Sequence, residues 1–499
     1  MKWYYGYIVA YFVSMFAIGF YYFLKVKSSD DYLIAGWNMG FWKIVGTHIS
    51  TNCGAAVFIG WIGMGFTVGM SGYFKFAAPA LLTSILLIVL FSGALRRQRL
   101  YTLADLFSER FGAKVGLVPS VFSAFIYSVP TTALQIVGMS TIFHIVFGID
   151  VKAGIALSFA LILGFTILGG LVATIVTDAL QSVIVVLGIV ILAIVVVNFG
   201  GGFSSIISNT PAAYISPTGI GGLGDVLTFA LTVAPFYLVW QSTWQRIFAS
   251  KDERVAVRAG VTAYVSLLVL TLLPFGIGVV ARQFVPLDMN PNLIFSYVTV
   301  ELLHPAVGGI VIVGLLSALM TGADSFILQG ASNLSQDIYA RMINPTANND
   351  QKMRVARLSV VLISLAALGV AYLMADIISL YQWALRLTAT TLVIPFLAIM
   401  FWRRVTGTAV LASMVLACAT TLAWPLLNTG IDQVFAGFLV SLVVTVGGSL
   451  ITTHGVEENV VAVYWDNLPS ASERHQTMSS VSAPSAPAIT PVTVKEQLQ

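Results

Sequence analysis

Residues 182–199 read SVIVVLGIVILAIVVVNF, a run without a single charged side chain. As a helix it would extend about 27 Å, close to the roughly 30 Å thickness of a bilayer's hydrocarbon core. A single segment in lipid must satisfy its backbone polar groups internally, and only a helix does so. A second run of this kind occupies residues 259–280. Both runs predict transmembrane α-helices.

The whole chain shares this character. Of its 499 residues, 58% are hydrophobic and 9% are charged, whereas a soluble domain carries about 25% charged residues. Outer-membrane barrels alternate apolar and polar residues in segments of about ten, a pattern that these continuous runs lack. The two cysteines, Cys53 and Cys418, are too few for a disulfide framework. We therefore predict an all-α membrane protein rather than a soluble domain or a barrel.

Hydropathy, punctuated by Gly, Pro and charge, predicts about thirteen transmembrane helices. They lie near residues 6–24, 43–69, 76–95, 117–147, 152–171, 174–198, 227–247, 256–281, 306–338, 355–374, 377–402, 407–427 and 431–453. Residues 1–453 thus form a predicted transmembrane domain. Residues 454–499 are polar, with a Ser- and Pro-rich stretch, and are predicted to be a disordered cytoplasmic tail.

Thirteen spans place the main clusters of cations on one side of the membrane. These clusters are Lys25 and Lys27; Arg96, Arg97, Arg99, Arg110 and Lys114; Arg246, Lys251, Arg254 and Arg258; Arg341, Lys352 and Arg354; and Arg403 and Arg404. Because cytoplasmic loops are enriched in Lys and Arg, the N-terminus is predicted outside and the C-terminus in the cytoplasm. The predicted location is the cell (inner) membrane, with several passes.

Two stretches interrupt the apolar pattern with small and polar residues, 50–56 and 317–325. A helix-interior glycine and hydroxyl side chains weaken the helical hydrogen-bond ladder and free carbonyl oxygens, which are hard donors suited to Na⁺. Close packing of helices through small residues is the alternative explanation for both. Asp178 is a carboxylate within a span, which indicates function unless it lies at a helix N-terminus. Arg386 either extends toward the headgroups or provides a counter-charge for a carboxylate solute.

Six segments carry motifs in a fixed order: residues 28–36, 101–112, 169–181, 244–251, 323–339 and 401–404. The first holds Asp-Tyr followed by hydrophobic residues and Ala-Gly. The second ends in Arg-Phe-Gly, and the third joins Gly-Gly-Leu to Thr-Asp and Gln. Together they resemble the sodium/solute symporter family. The resemblance implies a leucine-transporter-like fold, in which spans 2–6 and 7–11 form two inverted five-helix repeats.

The resemblance also implies a sodium site. Its ligands would be the carbonyls of Ser50, Cys53 and Ala318 and the hydroxyl of Thr321. The family has a second hydroxyl at the position of Gly322, so that one expected ligand is missing and proton coupling becomes an alternative. Asp178 would then lie near the ion path or carry the proton.

The solute site implied by this template draws on three spans and the first helix break. Its candidate residues are Asn52, Tyr127, Thr131, Gln135, Phe236, Tyr237, Trp240, Gln241 and Arg386. Packing is the alternative role for the aromatic members. A sugar is disfavoured because residues 55–58 are apolar where sugar transporters of the family have polar side chains.

We therefore expect an ion-coupled symporter for a small organic solute, with a monocarboxylate or related acid favoured and Na⁺, or alternatively H⁺, as coupling ion. A membrane sensor that keeps the transporter fold is the second hypothesis. An enzyme is not expected, because the sequence lacks a metal-ligand cluster and a nucleophile–base arrangement. The expected partners are the solute and membrane lipid, not nucleic acid, and the expected state is a monomer or weak oligomer.

Overall fold

The computed structural model describes residues 2–374 and 377–453. Within them the chain folds into helices joined by short loops and forms no β-sheet. The predicted all-α architecture is therefore confirmed for the part of the chain that the structure describes. The predicted tail, residues 454–499, lies outside that part.

Eleven helices in the described ranges are long and apolar enough to cross a membrane, and a bent pair raises the number to twelve. The helices are α1 (Trp3–Phe23), the bent pair α2 (Phe41–Asn52) and α3 (Ala56–Val68), α4 (Tyr73–Arg97), α5 (Ala113–Phe147), α6 (Val151–Phe199), α7 (Gly222–Ala249), α8 (Glu253–Ala281), α9 (Pro305–Ile343), α10 (Asn349–Leu373), α11 (Ser379–Phe401), α12 (Gly407–Leu427) and α13 (Gln433–Ile451).

The helix α6 contains a kink at the place where the sequence predicted a loop between two spans. Its 49 residues would extend about 73 Å, more than twice the hydrocarbon thickness. Gly170 divides it, with φ 54° and ψ −158°. A Cβ at Gly170 would lie 2.5 Å from a ring carbon of Tyr32, so the kink requires glycine. The number of spans rises from twelve to thirteen only if the two parts of α6, before and after Gly170, are counted separately. Thirteen spans therefore stay a prediction.

A second interruption lies within α7. An α-helix over Gly222–Val233 passes into a 3₁₀ turn over Ala234–Leu238, and a separate helical segment follows over Gln241–Ala249. Pro235 contributes to the change because it lacks a backbone N–H. By contrast, residues 318–322 interrupt the apolar pattern but lie inside an unbroken stretch of α9.

Burial distinguishes the centre of the bundle from its periphery. In the most apolar 18-residue stretch of α9, 83% of the residues are buried, against 28% in the corresponding stretches of α1 and α12. The central helix packs against α6, α5 and α1, while α12 and α13 pack mainly on each other and on α11. Polar side chains in α9 are therefore surrounded by protein rather than by lipid.

Polar contacts tie the loops together at the end of the bundle where α2 begins and α7 ends, here called the cation-rich end. Arg341 donates to Asp105 at 2.8 Å and to Glu109 at 2.9 Å. The Tyr101 hydroxyl donates to Asp30 at 2.6 Å. Burial and the adjacent Asp30 carboxylate raise the pKa of Tyr101, so that its hydroxyl stays protonated and remains a donor.

Candidate solute and ion site

The break between α2 and α3 brings backbone oxygens next to a hydroxyl of α9. The helix α2 ends at Asn52, and the axis of α3 is bent from it by 52°. The Thr321 hydroxyl lies 3.2 Å from the Ser50 carbonyl oxygen and 3.0 Å from that of Ala318. Cys53 follows the end of α2 and is 1% exposed. The residues predicted to bind the ion thus come from the break after α2 and from α9, which meet in the interior.

The position without the expected hydroxyl, Gly322, faces the side chain of Gln135 on α5. A Cβ on Gly322 would lie 3.1 Å from Cδ and 3.2 Å from Oε1 of Gln135. The same Oε1 accepts a hydrogen bond of 3.0 Å from the Ala55 N–H. Gln135 therefore fills the space beside Gly322 and contacts the helix break at the same time.

A fully buried ion pair lies beside this oxygen cluster. Arg246 Nη2 is 3.4 Å from Asp178 Oδ2, and their side chains are 1% and 0% exposed. The same carboxylate oxygen accepts a 2.5 Å bond from Thr47. Arg246 also donates to the hydroxyls of Thr51 at 2.6 Å and Ser325 at 2.5 Å. These contacts connect α2, α6, α7 and α9 through one polar network.

The position of Asp178 excludes one of its two explanations from the sequence, and the functional one stays a prediction. It lies about two turns beyond Gly170 inside α6, so it is not in the first turn of a helix. Its Oδ1 atom accepts no hydrogen bond from the residues that the structure describes. A buried carboxylate with an unused oxygen is suited to an ion or a proton.

The prediction that Arg246 lies in a loop was wrong. The residue lies within the helical segment Gln241–Ala249, whose members are all buried. Gln241, Ser242, Gln245 and Arg246 repeat at helical spacing and make one polar face. That periodicity was the signal that could have shown a buried cation, whereas no local pattern paired Arg246 with Thr47, Thr51 or Ser325.

Six of the nine predicted solute residues line one cavity of about 50 Å³: Asn52, Tyr127, Thr131, Gln135, Tyr237 and Trp240. A second cavity of about 500 Å³ shares with it the residues Ala56, Trp61, Phe76, Leu134 and Tyr381. The larger cavity extends toward Asn292 and Arg386. The smaller cavity thus forms the inner end of a path that reaches the helix break.

The other three predicted solute residues are placed elsewhere. The ring centroids of Phe236 and Tyr127 lie 4.8 Å apart, and Phe236 does not line the smaller cavity. Gln241 accepts a 2.6 Å bond from the Leu103 N–H. Arg386 lines the larger cavity and pairs with Asp432 at 3.4 Å. Its two expected roles, a counter-charge for the solute and extension toward the headgroups, stay predictions.

The donors around the helix break fit a hard monovalent cation. They are carbonyl and hydroxyl oxygens with a carboxylate close by, and the described residues contain no cluster of three or more His, Cys, Asp or Glu side chains. Transition metals prefer imidazole or thiolate ligands. Carbonyls at broken helices are the ligands that transporters use for Na⁺.

A bundle of membrane-spanning helices, two of them interrupted and facing buried oxygens, defines a secondary transporter. More narrowly, the chain belongs to the sodium:solute symporter family, whose model matches residues 32–417. The osmoregulated proline transporter OpuE of Bacillus subtilis (strain 168) is 27% identical over 480 residues, covering 89% of this chain and 93% of that protein. A sodium/glucose cotransporter of Vibrio parahaemolyticus is 26% identical over 479 residues, covering 86% of each.

Solved structures share the fold. A Na⁺-coupled sialic acid symporter in a substrate-bound outward-open state matches with a TM-score of 0.81 at 18% identity, covering 91% of this chain and 98% of that one. Mhp1, a nucleobase-cation-symport-1 family transporter, matches with a TM-score of 0.62 at 13% identity, covering 89% and 98%. The fold is therefore leucine-transporter-like. Membership of the symporter family makes the chain a multi-pass membrane transporter rather than an enzyme.

Proposed function

We propose that this protein uses a Na⁺ gradient to take up a small zwitterionic amino acid, with proline as the first candidate. The observation that carries the proposal is the Thr321 hydroxyl, which lies between the carbonyl oxygens of Ser50 and Ala318. This contact joins the broken helix to α9 at one point. A cation bound there would hold the two elements together and favour one conformation over another.

The cation would be held by the carbonyls of Ser50, Cys53 and Ala318 and by the Thr321 hydroxyl, with Asp178 supplying negative charge nearby. A bound Na⁺ would supply positive charge that offsets the electrostatic repulsion between these closely spaced oxygens. The residues themselves hold the break of α2 and α3 in register with α9. Proton coupling through Asp178 remains the alternative, because Gly322 offers no hydroxyl.

The lining of the cavities supports a solute without net charge. The smaller cavity has no charged side chain among its described residues, and the only one in the larger is Arg386, which is paired. A monocarboxylate would need an unpaired cation there, so we replace that expectation with a zwitterion. Aromatic faces at Tyr127, Tyr237 and Trp240 suit a primary or secondary ammonium group. Relatives described as proline transporters point the same way.

The arrangement of the two interrupted helices supports alternating access. Within spans 2–6 and 7–11, the first helix of each proposed repeat is the broken one, α2 with α3 and then α7. Inverted repeats with this feature rock against each other around a central site. We keep thirteen spans, an external N-terminus and a monomer or weak oligomer as parts of the proposal.

The test is uptake into proteoliposomes that contain the purified full-length protein. Na⁺ and H⁺ gradients are imposed separately, and radiolabelled proline, propionate and glucose are compared. We expect Na⁺-driven accumulation of proline that collapses when an ionophore removes the gradient. Protein-free liposomes provide the background.

Each other result has a distinct meaning. Accumulation driven only by H⁺ would favour the proton-coupled alternative with Asp178 as carrier. Propionate uptake without proline uptake would restore the monocarboxylate expectation. Failure to accumulate any solute under either gradient would contradict the symporter and favour the sensor hypothesis.

A further inference from the structure

We propose that Gln135 binds the cation and not only the solute. Its side-chain amide oxygen would replace the hydroxyl that Gly322 cannot provide. This inference rests on the proposed Na⁺-coupled function. It changes the role predicted for Gln135 from the sequence, which was solute binding.

Gln135 lies between two glycines, Gly54 in the break between α2 and α3 and Gly322 in α9. A Cβ on Gly54 would lie 3.3 Å from Gln135 Oε1, and a Cβ on Gly322 would lie 3.2 Å from the same atom. The side chain is 4% exposed. A larger residue at either position would therefore push the amide away, because interiors are close-packed and leave no room beside it.

The oxygen of this amide has remaining capacity to bind a cation. A side-chain amide oxygen has two lone pairs, and the hydrogen bond from the Ala55 N–H uses one. Gly322 directly follows Thr321, whose hydroxyl contacts Ser50 and Ala318. Gln135 Oε1 thus lies beside the glycine that follows one proposed ion ligand and bonds to the backbone two residues after another, Cys53. It is a neutral hard donor of the same kind as a carbonyl.

The same geometry explains how the chain combines Gly322 with a long side chain on α5. A serine in place of this glycine would supply a hydroxyl but would also place its Cβ 3.1 Å from Gln135 Cδ. The two ligands therefore compete for one space. Gly322 with Gln135 is one solution, and a serine at position 322 with a small residue at position 135 is the other.

The test measures how Na⁺ raises the melting temperature of the purified full-length protein, titrated against K⁺ at constant ionic strength. Gln135→Met keeps the length of the side chain and removes the oxygen. We expect about a tenfold or larger increase in the half-saturating Na⁺ concentration, as is usual when the ligand set of a metal is disturbed. The pair Gln135→Ala with Gly322→Ser should return it toward the wild-type value, because alanine leaves room for the new hydroxyl.

A control variant separates this role from the general loss of an amide that joins two elements. Gln283 also uses its amide to join two elements, donating to Thr210 at 3.1 Å, but it lies away from both cavities. Gln283→Met should leave the half-saturating Na⁺ concentration unchanged.

The outcomes distinguish this inference from the proposed function. An unchanged Na⁺ titration in Gln135→Met, or failure of the double variant to recover, would overturn the role of Gln135. If wild-type protein itself shows no Na⁺-dependent shift, the proposed sodium site fails instead. Thr321→Ala should weaken the Na⁺ effect whether or not Gln135 is a ligand.

Discussion

Arg246 and Asp178 form an ion pair of 3.4 Å in which neither side chain reaches solvent. It links the second segment of α7 to α6 in the centre of the bundle. Such a pair is weak evidence for stability by itself, because desolvation of two charges offsets their attraction. Its hydrogen bonds to Thr51 and Ser325 fix the positions of polar groups next to the proposed ion site.

Removing one member of this pair should be strongly destabilising. Arg246→Met leaves the Asp178 carboxylate buried without a cation, a change that typically costs about 3–5 kcal/mol. We expect a clear fall in the melting temperature of the purified protein. The double variant Arg246→Met with Asp178→Asn should melt higher than Arg246→Met alone, because it no longer buries an unpaired charge. Strictly additive effects of the two substitutions would contradict the interaction.

The Thr321 hydroxyl should control Na⁺ affinity and not the fold. Thr321→Ala removes the oxygen that contacts Ser50 and Ala318, whereas Thr321→Ser keeps it. We expect Thr321→Ala to raise the Na⁺ concentration for half-maximal uptake about tenfold or more. Thr321→Ser should stay close to wild type, and both proteins should reach the membrane in normal amounts. Equal Na⁺ dependence in the two variants would remove Thr321 from the site.

The sequence predicted the all-α architecture because long apolar runs leave the backbone no alternative in lipid. It also indicated the break near Cys53 through a glycine and hydroxyl residues. The break at Val239 and Trp240 in α7 was missed, because the stretch is apolar and aromatic like its surroundings and Pro235 was its one local signal.

The long-range pairs were beyond sequence reasoning. Arg246 lies close to true loop cations along the chain, and only tertiary packing brings it to Asp178, which is 68 residues away in sequence. Arg386 could be recognised as a costly charge, but its partner Asp432 lies beyond α12, just before α13. The contact between Gln135 and Gly322 depends on the exact approach of α5 to α9, which no local pattern specifies.

The ion pair of Arg386 and Asp432 should contribute little to solute binding. Both side chains are 25% exposed, and pairs in such positions are worth about 0–1 kcal/mol. We expect Arg386→Gln and Asp432→Asn each to change the proline concentration for half-maximal uptake less than about threefold. If Arg386 instead held the solute carboxylate, Arg386→Gln would weaken uptake severely while Asp432→Asn would not.

The polar face of Gln241–Ala249 should hold the cation-rich end closed. Gln245 donates to the Leu33 carbonyl and to the Ser332 hydroxyl, both at 3.0 Å. Gln245→Leu removes both bonds, and at about 1 kcal/mol each opening should become roughly tenfold or more frequent. Cys53, 1% exposed at the helix break, is a native reporter of such opening. We expect faster alkylation of Cys53 by N-ethylmaleimide, followed by mass spectrometry in a Cys418→Ser background.

The effect of Na⁺ distinguishes a gate from a general loosening of the bundle. A cation that binds between the helix break and α9 should favour the closed arrangement, so Na⁺ should slow alkylation of Cys53 in both wild type and Gln245→Leu. Gln283→Leu, which removes a partly buried amide just after the C-terminal end of α8, should leave the alkylation rate unchanged. If both leucine variants accelerate alkylation equally, the polar face of α7 is not a gate, because the increase would then reflect lower overall stability.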